Sequence, residues 1–353
     1  MAPQAKLIER LRDTHRLDAE GYKSILEDED PQNMMVLCSE ARKTAVSVFG
    51  HKVFIRGLIE ISNHCRNNCF YCGIRAANGG IKRYRLSKDD IMGCCRTGYD
   101  LGFRTFVLQG GEDPVQDDDW VEDVVRSIRS HYPDCAITLS IGEKSPGALR
   151  RFKEAGADRY LLRHETFNPG HYALLHPVGM SRDKRLECLH KLKETGYQTG
   201  SGIMVGSPFQ SIDNLVEDIL FIQELDPEMI GLGPFIHHCG TPFAAFPDGS
   251  VTMTLKLISI FRLISPKALI PATTSLATLD PEGRCKGILS GANVVMPNLS
   301  PSSFRKDYSL YEGKASSGCE GAEGLEMLRQ ELHAIGYDIW TGRGDYDNLK
   351  TLN

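Results

Sequence analysis

Apolar residues recur at helical spacing in AKLIERLRDT, GYKSILEDE and MMVLCSEARKTAVSVFG, which predicts helices over residues 3–49, the last capped by Asp28 or Asp30. These helices are expected to lie as a lid over one end of the remaining fold. From residue 53 the pattern becomes short apolar runs separated by amphipathic stretches. The strand-like runs are 53–62, 105–111, 136–142, 159–165, 198–206, 229–236, 268–274 and 293–298. Helical stretches such as SKDDIMGCCRTGYDLG, WVEDVVRSIRSHY, SIDNLVEDILFIQEL and TLKLISIFRLIS lie between them. Eight strands, each followed by a helix-sized segment, predict an α/β fold of the (β/α)8 TIM barrel type. The alternative is an open doubly wound sheet, but no G-x-G-x-x-G turn follows the first strand. Residues 299–319 lack periodicity and read as a loop, 320–336 as a final amphipathic helix, and 341–353 as a polar tail. The expected organisation is an N-terminal helical extension (1–50), one barrel (51–314), and a C-terminal helix and tail (315–353).

Barrel active sites lie at the C-terminal ends of the strands, so polar residues there are the first candidates. The first strand runs into SNHCRNNCFYCGIR and the second into Gln109-Gly110-Gly111-Glu112, whose glycines let backbone approach a ligand. The third carries Thr138 and Ser140, the fourth Arg163, His164 and Glu165, the fifth Ser201, Met204 and Gly206. Met229, His237 and His238 are placed with the sixth, Thr273, Thr274 and Ser275 with the seventh, and Met296 and Asn298 with the eighth. Such a gathering suits an enclosed site for a polar ligand.

Composition narrows the class. The 353 residues are 41% hydrophobic and 25% charged, ordinary for a globular enzyme. A net charge of −5 without a basic run gives no reason to expect nucleic acid as a partner. No apolar run approaches the roughly 20 residues that span a bilayer, and the N-terminus lacks the apolar core of a secretory signal. Eleven cysteines in such a chain point to a reducing compartment, so a cytoplasmic location is expected.

The loop after the first strand carries the sharpest chemistry. Cys65, Cys69 and Cys72 stand in a C-x3-C-x2-C spacing. Thiolates are soft ligands for iron–sulfur clusters or zinc, and both normally take four ligands. Three cysteines without an evident fourth suggest a cluster with one iron open to a non-protein ligand. A zinc knuckle is the other reading, but such sites usually pair C-x-x-C motifs. The spacing, with Tyr71 before the third cysteine, resembles the radical S-adenosylmethionine (SAM) enzymes, in which SAM chelates the open iron.

A longer series of blocks is more specific. NHCRNNCFYCGIRAANGGIKRYRLS, LQGGEDP, RHET, GIMVGSP, GPFIHH, ATTSL, MPN and YSLYEGK occur in order between about residues 50 and 314. They resemble the FeFe-hydrogenase maturase family HydE; 3-methylornithine synthase, biotin synthase and the other iron-only hydrogenase maturases share most of these features. The resemblance implies one 4Fe–4S cluster on Cys65, Cys69 and Cys72, SAM, and cytoplasmic work in an anaerobe. It implies reductive cleavage of SAM to a 5′-deoxyadenosyl radical, acting on a cysteine-bound iron carrying CO and cyanide on the way to the diiron precursor. Partners would be that small organometallic or amino-acid-derived substrate, other hydrogenase maturases, and an electron donor such as ferredoxin or flavodoxin.

Carried onto this chain, the resemblance places Tyr71 beside the cluster, the backbone of Gly110, Gly111 and Glu112 at the SAM ammonium, and Ser140, Glu165 and Arg185 around SAM. A plain surface position for Arg185 and a structural ion pair for Glu165 with its neighbours are the competing readings. Arg56 and Arg159 are candidates for the substrate carboxylate. Thr138, Met229, Thr273, Thr274, Met296, Tyr308 and Tyr311 match pocket-lining positions. A second, C-terminal cysteine set found in some members reduces here to Cys319, so a single cluster is expected.

Other features invite less. Cys94 and Cys95 adjoin on a predicted helix and, like Cys188, read as core. Asp117–Asp119 read as a helix cap. His237-His238-Cys239 looks like a metal triplet, yet consecutive strand residues face opposite ways, so it is not expected to hold a metal. A radical SAM enzyme of amino-acid or vitamin metabolism, such as 3-methylornithine synthase or a biotin synthase-like protein, and a non-catalytic iron–sulfur scaffold are the alternative functions.

Overall fold

The computed structural model describes residues 3–314 and 320–346. Helices α1 (Pro3–Thr14), α2 (Ala19–Glu27) and α3 (Pro31–Phe49) precede β1 (Lys52–Ile55) and β2 (Gly57–Ser62), one extended run parted at Arg56. There follow α4 (Lys88–Asp100), β3 (Thr105–Gly110), α5 (Asp118–His131), β4 (Ala136–Ser140), α6 (Pro146–Ala155) and β5 (Arg159–Leu161). Next come α7 (Pro169–Leu175), α8 (Arg182–Glu194), β6 (Gln198–Val205), α9 (Ile212–Leu225), β7 (Met229–Pro234) and α10 (Val251–Ile264). The chain ends with α11 (Thr274–Leu279), α12 (Gly283–Leu289), β8 (Val294–Val295), α13 (Ser302–Arg305), α14 (Leu325–Ala334) and β9 (Asp338–Trp340).

Parallel ladders join β2 through β7 in chain order, and β1 pairs in parallel with β8. The seventh strand, expected over 268–274, shrinks to two single bridges, Met229 to Leu269 and Pro271 to Val294. Pro271 has no N–H to give a ladder, and the helix α11 already begins at Thr274. With a bridge from Leu58 to Asn298 the ring is closed, so the eight-position barrel stands with one reduced stave.

Helix boundaries follow their caps. Asp30, not Asp28, accepts from Gln32 N at the start of α3, and Pro31 fills the first turn where an N–H would be idle. Ser87 and Asp90 form a reciprocal capping box on α4, and Asp117 accepts from Trp120 N before α5. Cys94, Cys95, Cys135 and Cys188 pack in the hydrophobic core with the outward-facing strand residues Ile59, Ile61, Phe106 and Ile137.

The pleat sends alternate residues inward. Along the first stave Val53, Ile55, Ile59 and Ile61 join the outer core, leaving Phe54, Arg56, Leu58 and Glu60 to rise through the interior from floor to mouth. On β6 and β7 the outward Ile203, Val205, Ile230 and Leu232 leave Gly200, Gly202, Gly231 and Gly233 facing in. A Cβ at Gly231 would meet nothing nearer than 3.8 Å, whereas at Gly200 and Gly233 it would fall 2.7 Å from Leu161 Cδ1 and 2.4 Å from Ser275 Oγ, so glycine there is a packing requirement.

The N-terminal helices pack on α9, α10 and α12, and Ala45 and Phe49 of α3 meet Phe54, Met229, Leu269 and Val294. They therefore cover the floor, opposite the cysteine loop. The tail also reaches the floor. The strand β9 pairs in parallel with β1, and the residues after it run under the barrel. There Arg159, 0% exposed, donates to Asp345 Oδ1 at 2.7 Å, to the carbonyls of Arg343 and Gly344, to Thr105 Oγ1 and to Gln198 Oε1. A buried ion that loses its partner is left uncompensated. Asp345→Ala is expected to lower stability by about 3 kcal/mol in urea unfolding at neutral pH. A loss under about 1 kcal/mol, the scale of an exposed pair, would mean the carbonyls alone hold the guanidinium.

Candidate active site at the barrel mouth

Cys65, Cys69 and Cys72 lie half-buried in the loop that leaves β2. Backbone contacts shape this loop. Arg83 donates to the carbonyls of Asn63, Ile74, Arg75 and Asn78, and Asn78 Nδ2 to Gly73 O at 2.7 Å. Asn63 Nδ2 reaches Lys82 O and Asp307 O, tying the loop to the segment that follows β8. Arg83 and Asn63 belong to the NHCRNNCFYCGIRAANGGIKRYRLS block, but nothing in their spacing marks them as the organisers of the loop.

The turn after β3 supports it from beneath. A Cβ on Gly111 would fall 2.3 Å from His64 O and 2.7 Å from Cys65 Cβ, so only glycine lets the two backbones meet. Arg66 N donates to Glu112 O at 2.9 Å, and the Arg66 guanidinium pairs with the Glu112 carboxylate at 2.9 Å. Gly142, at φ +80°, leaves space for that carboxylate: a Cβ there would lie 2.2 Å from Glu112 Cγ.

Burial pushes the thiols of Cys65, Cys69 and Cys72 up, Cys69 to about 12. Such thiols become thiolates at neutral pH only when a metal cation replaces their protons. Three soft donors on one short loop fit an iron–sulfur cluster bound through three irons.

Around the loop the structure brings together residues from the ends of β3, β4 and β5 and from α8. Ser140 closes β4 opposite Gln109. Glu165 holds the left-handed conformation at φ 66°, uncommon for a residue with a side chain, and lies 2.9 Å from Arg163. Arg185 is turned inward from α8 and is 7% exposed, which overturns its reading as a surface residue. It donates to Glu143 Oε1 at 2.8 Å and to Arg163 O at 3.0 Å. His164 points the other way, behind the wall, onto Ser201 Oγ at 2.8 Å and Asp218 at 3.3 Å.

Tyr71 is enclosed here, with His176 Nε2 3.3 Å from its hydroxyl. His176 Nδ1 donates to Tyr172 O at 2.9 Å, and its ring stacks on Tyr172 with centroids 3.9 Å apart. Met180 Sδ lies 3.8 Å from Cys69 Sγ. His176 and Met180 escaped sequence reasoning because the loop after β5 shows no periodicity.

Deeper lie the residues expected around the substrate. Met229 opens β7 and Thr138 is mid-strand in β4, so neither is at a strand end as expected; both sit low in the barrel. Arg56 is 5% exposed, with Nη1 3.1 Å from Met229 Sδ. Its Nε and Nη2, and the Thr138 hydroxyl, are buried without a hydrogen-bond partner among the described residues. Burial, with Arg159 nearby, pushes the Arg56 guanidinium well down. Arg159 itself is taken by Asp345. Thr273 Oγ1 meets Ser275 Oγ at 3.0 Å, and Thr274 donates to Glu320 at 2.6 Å, while Met296 packs beside Phe54 and Met229. Tyr308 is enclosed, accepting from Gln109 Nε2 at 3.4 Å, and Tyr311 lies in the same loop, half-buried. Cys319 lies outside the described residues.

Residues 59–222 match the Radical SAM superfamily. The [FeFe] hydrogenase maturase subunit HydE of Thermotoga maritima is 48% identical over 278 residues, covering 79% of this chain and 78% of that protein. The chain belongs to the HydE family. The 3-methylornithine synthase of Methanosarcina barkeri is 31% identical over 84% of each chain. Among solved structures, methylornithine synthase (PylB) matches with a TM-score of 0.84 at 27% identity, over 98% of this chain and 100% of that one. HydG, a maturase of the [FeFe]-hydrogenase, matches in fold with a TM-score of 0.82 at 20% identity, over 98% and 78%. As a HydE-family radical SAM protein the chain is an enzyme whose cofactors are a 4Fe–4S cluster and SAM. No helix among the described residues is long and apolar enough to cross a membrane.

Gly111→Ala is expected to displace the loop and lower the iron retained after anaerobic reconstitution and gel filtration, with the barrel's circular dichroism unchanged. Iron content equal to wild type would show that the loop yields without losing its metal. Burial holds His176 at about 4 instead of 6.5, so between these values the unfolded chain binds a proton that the folded chain refuses. Its contribution is complete above pH 6.5 and fades as pH falls towards 4, by about 3 kcal/mol in all. Urea midpoints measured across this window should fall less steeply for His176→Gln than for wild type.

Proposed function

We propose that this HydE-family enzyme matures the FeFe-hydrogenase active site by radical chemistry on a small anionic iron complex, seated low in the barrel through a carboxylate on Arg56. The observation that carries the reading is the buried Arg56 guanidinium, two of whose nitrogens have no partner among the described residues. An uncompensated buried cation is costly, and a carboxylate is its natural complement. The chemistry of a cysteine-derived complex carrying CO and cyanide fits this polar floor beneath an apolar, glycine-lined wall.

Cys65, Cys69 and Cys72 hold the cluster. Once bound there, the cluster would supply the electron for reductive cleavage of SAM to methionine and a 5′-deoxyadenosyl radical. The residues must aim that reaction and keep it dry. Glu112, Glu165 and Ser140 offer acceptors to the ammonium and ribose of SAM, Arg185 a donor to its carboxylate, and Tyr71 an enclosed aromatic face beside Cys69. Thr138 adds a buried hydroxyl without a partner among the described residues, and Thr273, Thr274, Met229 and Met296 complete the wall. Arg159, already paired with Asp345, sets the field of the floor and does not itself grip the substrate.

The segment after β8 covers the mouth: Gly73 N donates to Leu310 O at 2.8 Å, and Lys314 bonds the interior Glu60. With Tyr308 and Tyr311 it excludes water between the SAM residues and the pocket. In this reading the enzyme works in the cytoplasm, with ferredoxin or flavodoxin as electron donor and other hydrogenase maturases supplying and receiving the iron complex.

The test is anaerobic. Reconstituted protein with dithionite and SAM is expected to yield 5′-deoxyadenosine, and Cys69→Ala none. With a carboxylate-bearing iron complex as substrate, Arg56→Met should raise KM about 30-fold, the loss of about 2 kcal/mol for charged hydrogen bonds, at unchanged iron content. Unchanged KM would remove Arg56 from the site. Efficient isomerisation of lysine by the wild type would transfer the enzyme to the 3-methylornithine synthase reading.

A further inference from the structure

Past Pro234 the chain leaves β7 and crosses the barrel mouth, so His237, His238 and Cys239 lie in a loop and not on a strand. The alternation that was expected to separate them does not apply. Instead the loop folds against the segment after β8: Glu312 N donates to His237 O at 2.8 Å, and Cys239 N approaches Glu312 Oε2 at 3.4 Å. A ligand atom of His238, of Cys239 and of Glu312 thereby come within 4.8 Å of one another.

From this geometry we infer that His238, Cys239 and Glu312 form a second metal site, one that takes a single divalent transition ion. The donor set decides the class of metal. An imidazole, a thiolate and a carboxylate together suit iron(II), cobalt(II) or zinc, whereas magnesium and calcium favour all-oxygen sites. Thiolate and carboxylate also neutralise the two charges of such an ion.

The site is largely built in advance. His238 is 5% exposed, and its ring lies against Gly73, where an added Cβ would stand 2.4 Å from His238 Cδ2. Gly240 N donates to His238 Nδ1 at 2.9 Å and Ser309 Oγ lies 3.1 Å from Nε2, which fixes the ring's orientation. Nδ1 accepts from Gly240 N and so carries the ring's lone pair, which a metal takes over when that hydrogen bond gives way. Asp248 accepts from His237 N and lies 2.7 Å from His237 Nδ1, pinning the start of the loop. Cys239 and Glu312 face solvent, so an ion there keeps coordination positions open to water or an incoming ligand.

Binding exchanges one cation for another. The Cys239 thiol faces the Glu312 carboxylate, which favours the protonated thiol; a metal bound between them would take that proton's place and release it to solvent. The Gly240 hydrogen bond to the ring yields to the metal–nitrogen bond. Because Gly73 directly follows Cys72, the ion would sit beside the cluster loop yet outside it. The inference rests on this loop geometry and does not depend on the radical chemistry.

Cobalt(II) is the probe. Full-length protein, carrying its cluster in the oxidised, EPR-silent state, is titrated anaerobically with Co²⁺ and freed of excess by gel filtration. The expected result is one retained cobalt per chain, with a high-spin EPR signal and the ligand-field absorption of thiolate coordination. Cys239→Ser should lose the thiolate signature, and Glu312→Gln should bind about tenfold or more weakly. Both variants should keep wild-type iron content, which separates loss of this site from damage to the cluster. Wild type that retains no cobalt, or Cys239→Ser that gives the same spectrum as wild type, would overturn the assignment.

Discussion

Each stave of a parallel barrel is buried on both faces, and that double burial governs this protein. The outward residues meet helices and must be apolar; the inward ones meet one another, and any charge among them needs a partner. Glu60 finds Lys314 and Asn298, and Arg159 finds Asp345. Among the described residues, Arg56 finds only a thioether sulfur within reach. The same fold that neutralises Glu60 and Arg159 leaves two nitrogens of the Arg56 guanidinium without a hydrogen-bond partner among the described residues.

At the mouth the logic is backbone geometry. The three cysteines ride on a loop whose shape comes from carbonyls gathered around Arg83 and from a glycine turn pressed against His64 and Cys65. The neighbouring side chains form two ion pairs, Glu165–Arg163 and Arg185–Glu143, joined by the bond from Arg185 to the Arg163 carbonyl. Donors and acceptors fixed in this way need little rearrangement when a charged cofactor enters.

Much of this was legible in the sequence. Short apolar runs and amphipathic stretches located the staves and helices, local signals pointed to caps at Asp28 or Asp30 and at Asp117, and the cysteine spacing marked out the loop after the first stave. What escaped shares one physical cause: partners far apart in the chain leave no periodic trace. Arg159 and Asp345 are 186 positions apart, and Cys239 and Glu312 are 73 apart. The polar tail reads as solvent-facing because its carboxylate and carbonyls answer an arginine whose burial the tail itself completes. The seventh stave misled for a local reason, since apolar character does not supply the N–H that Pro271 lacks.

The position of β9 has a consequence for how the molecule is made. Residues 338–346 emerge from the ribosome after all eight staves, yet they supply the carboxylate that balances Arg159 on the floor. Until they do, Arg159 lacks the Asp345 carboxylate that pairs with it in the finished fold. The carboxylate that balances Arg159 is therefore among the last parts of the floor to be synthesised, while the cysteine loop, made early, stands at the opposite end.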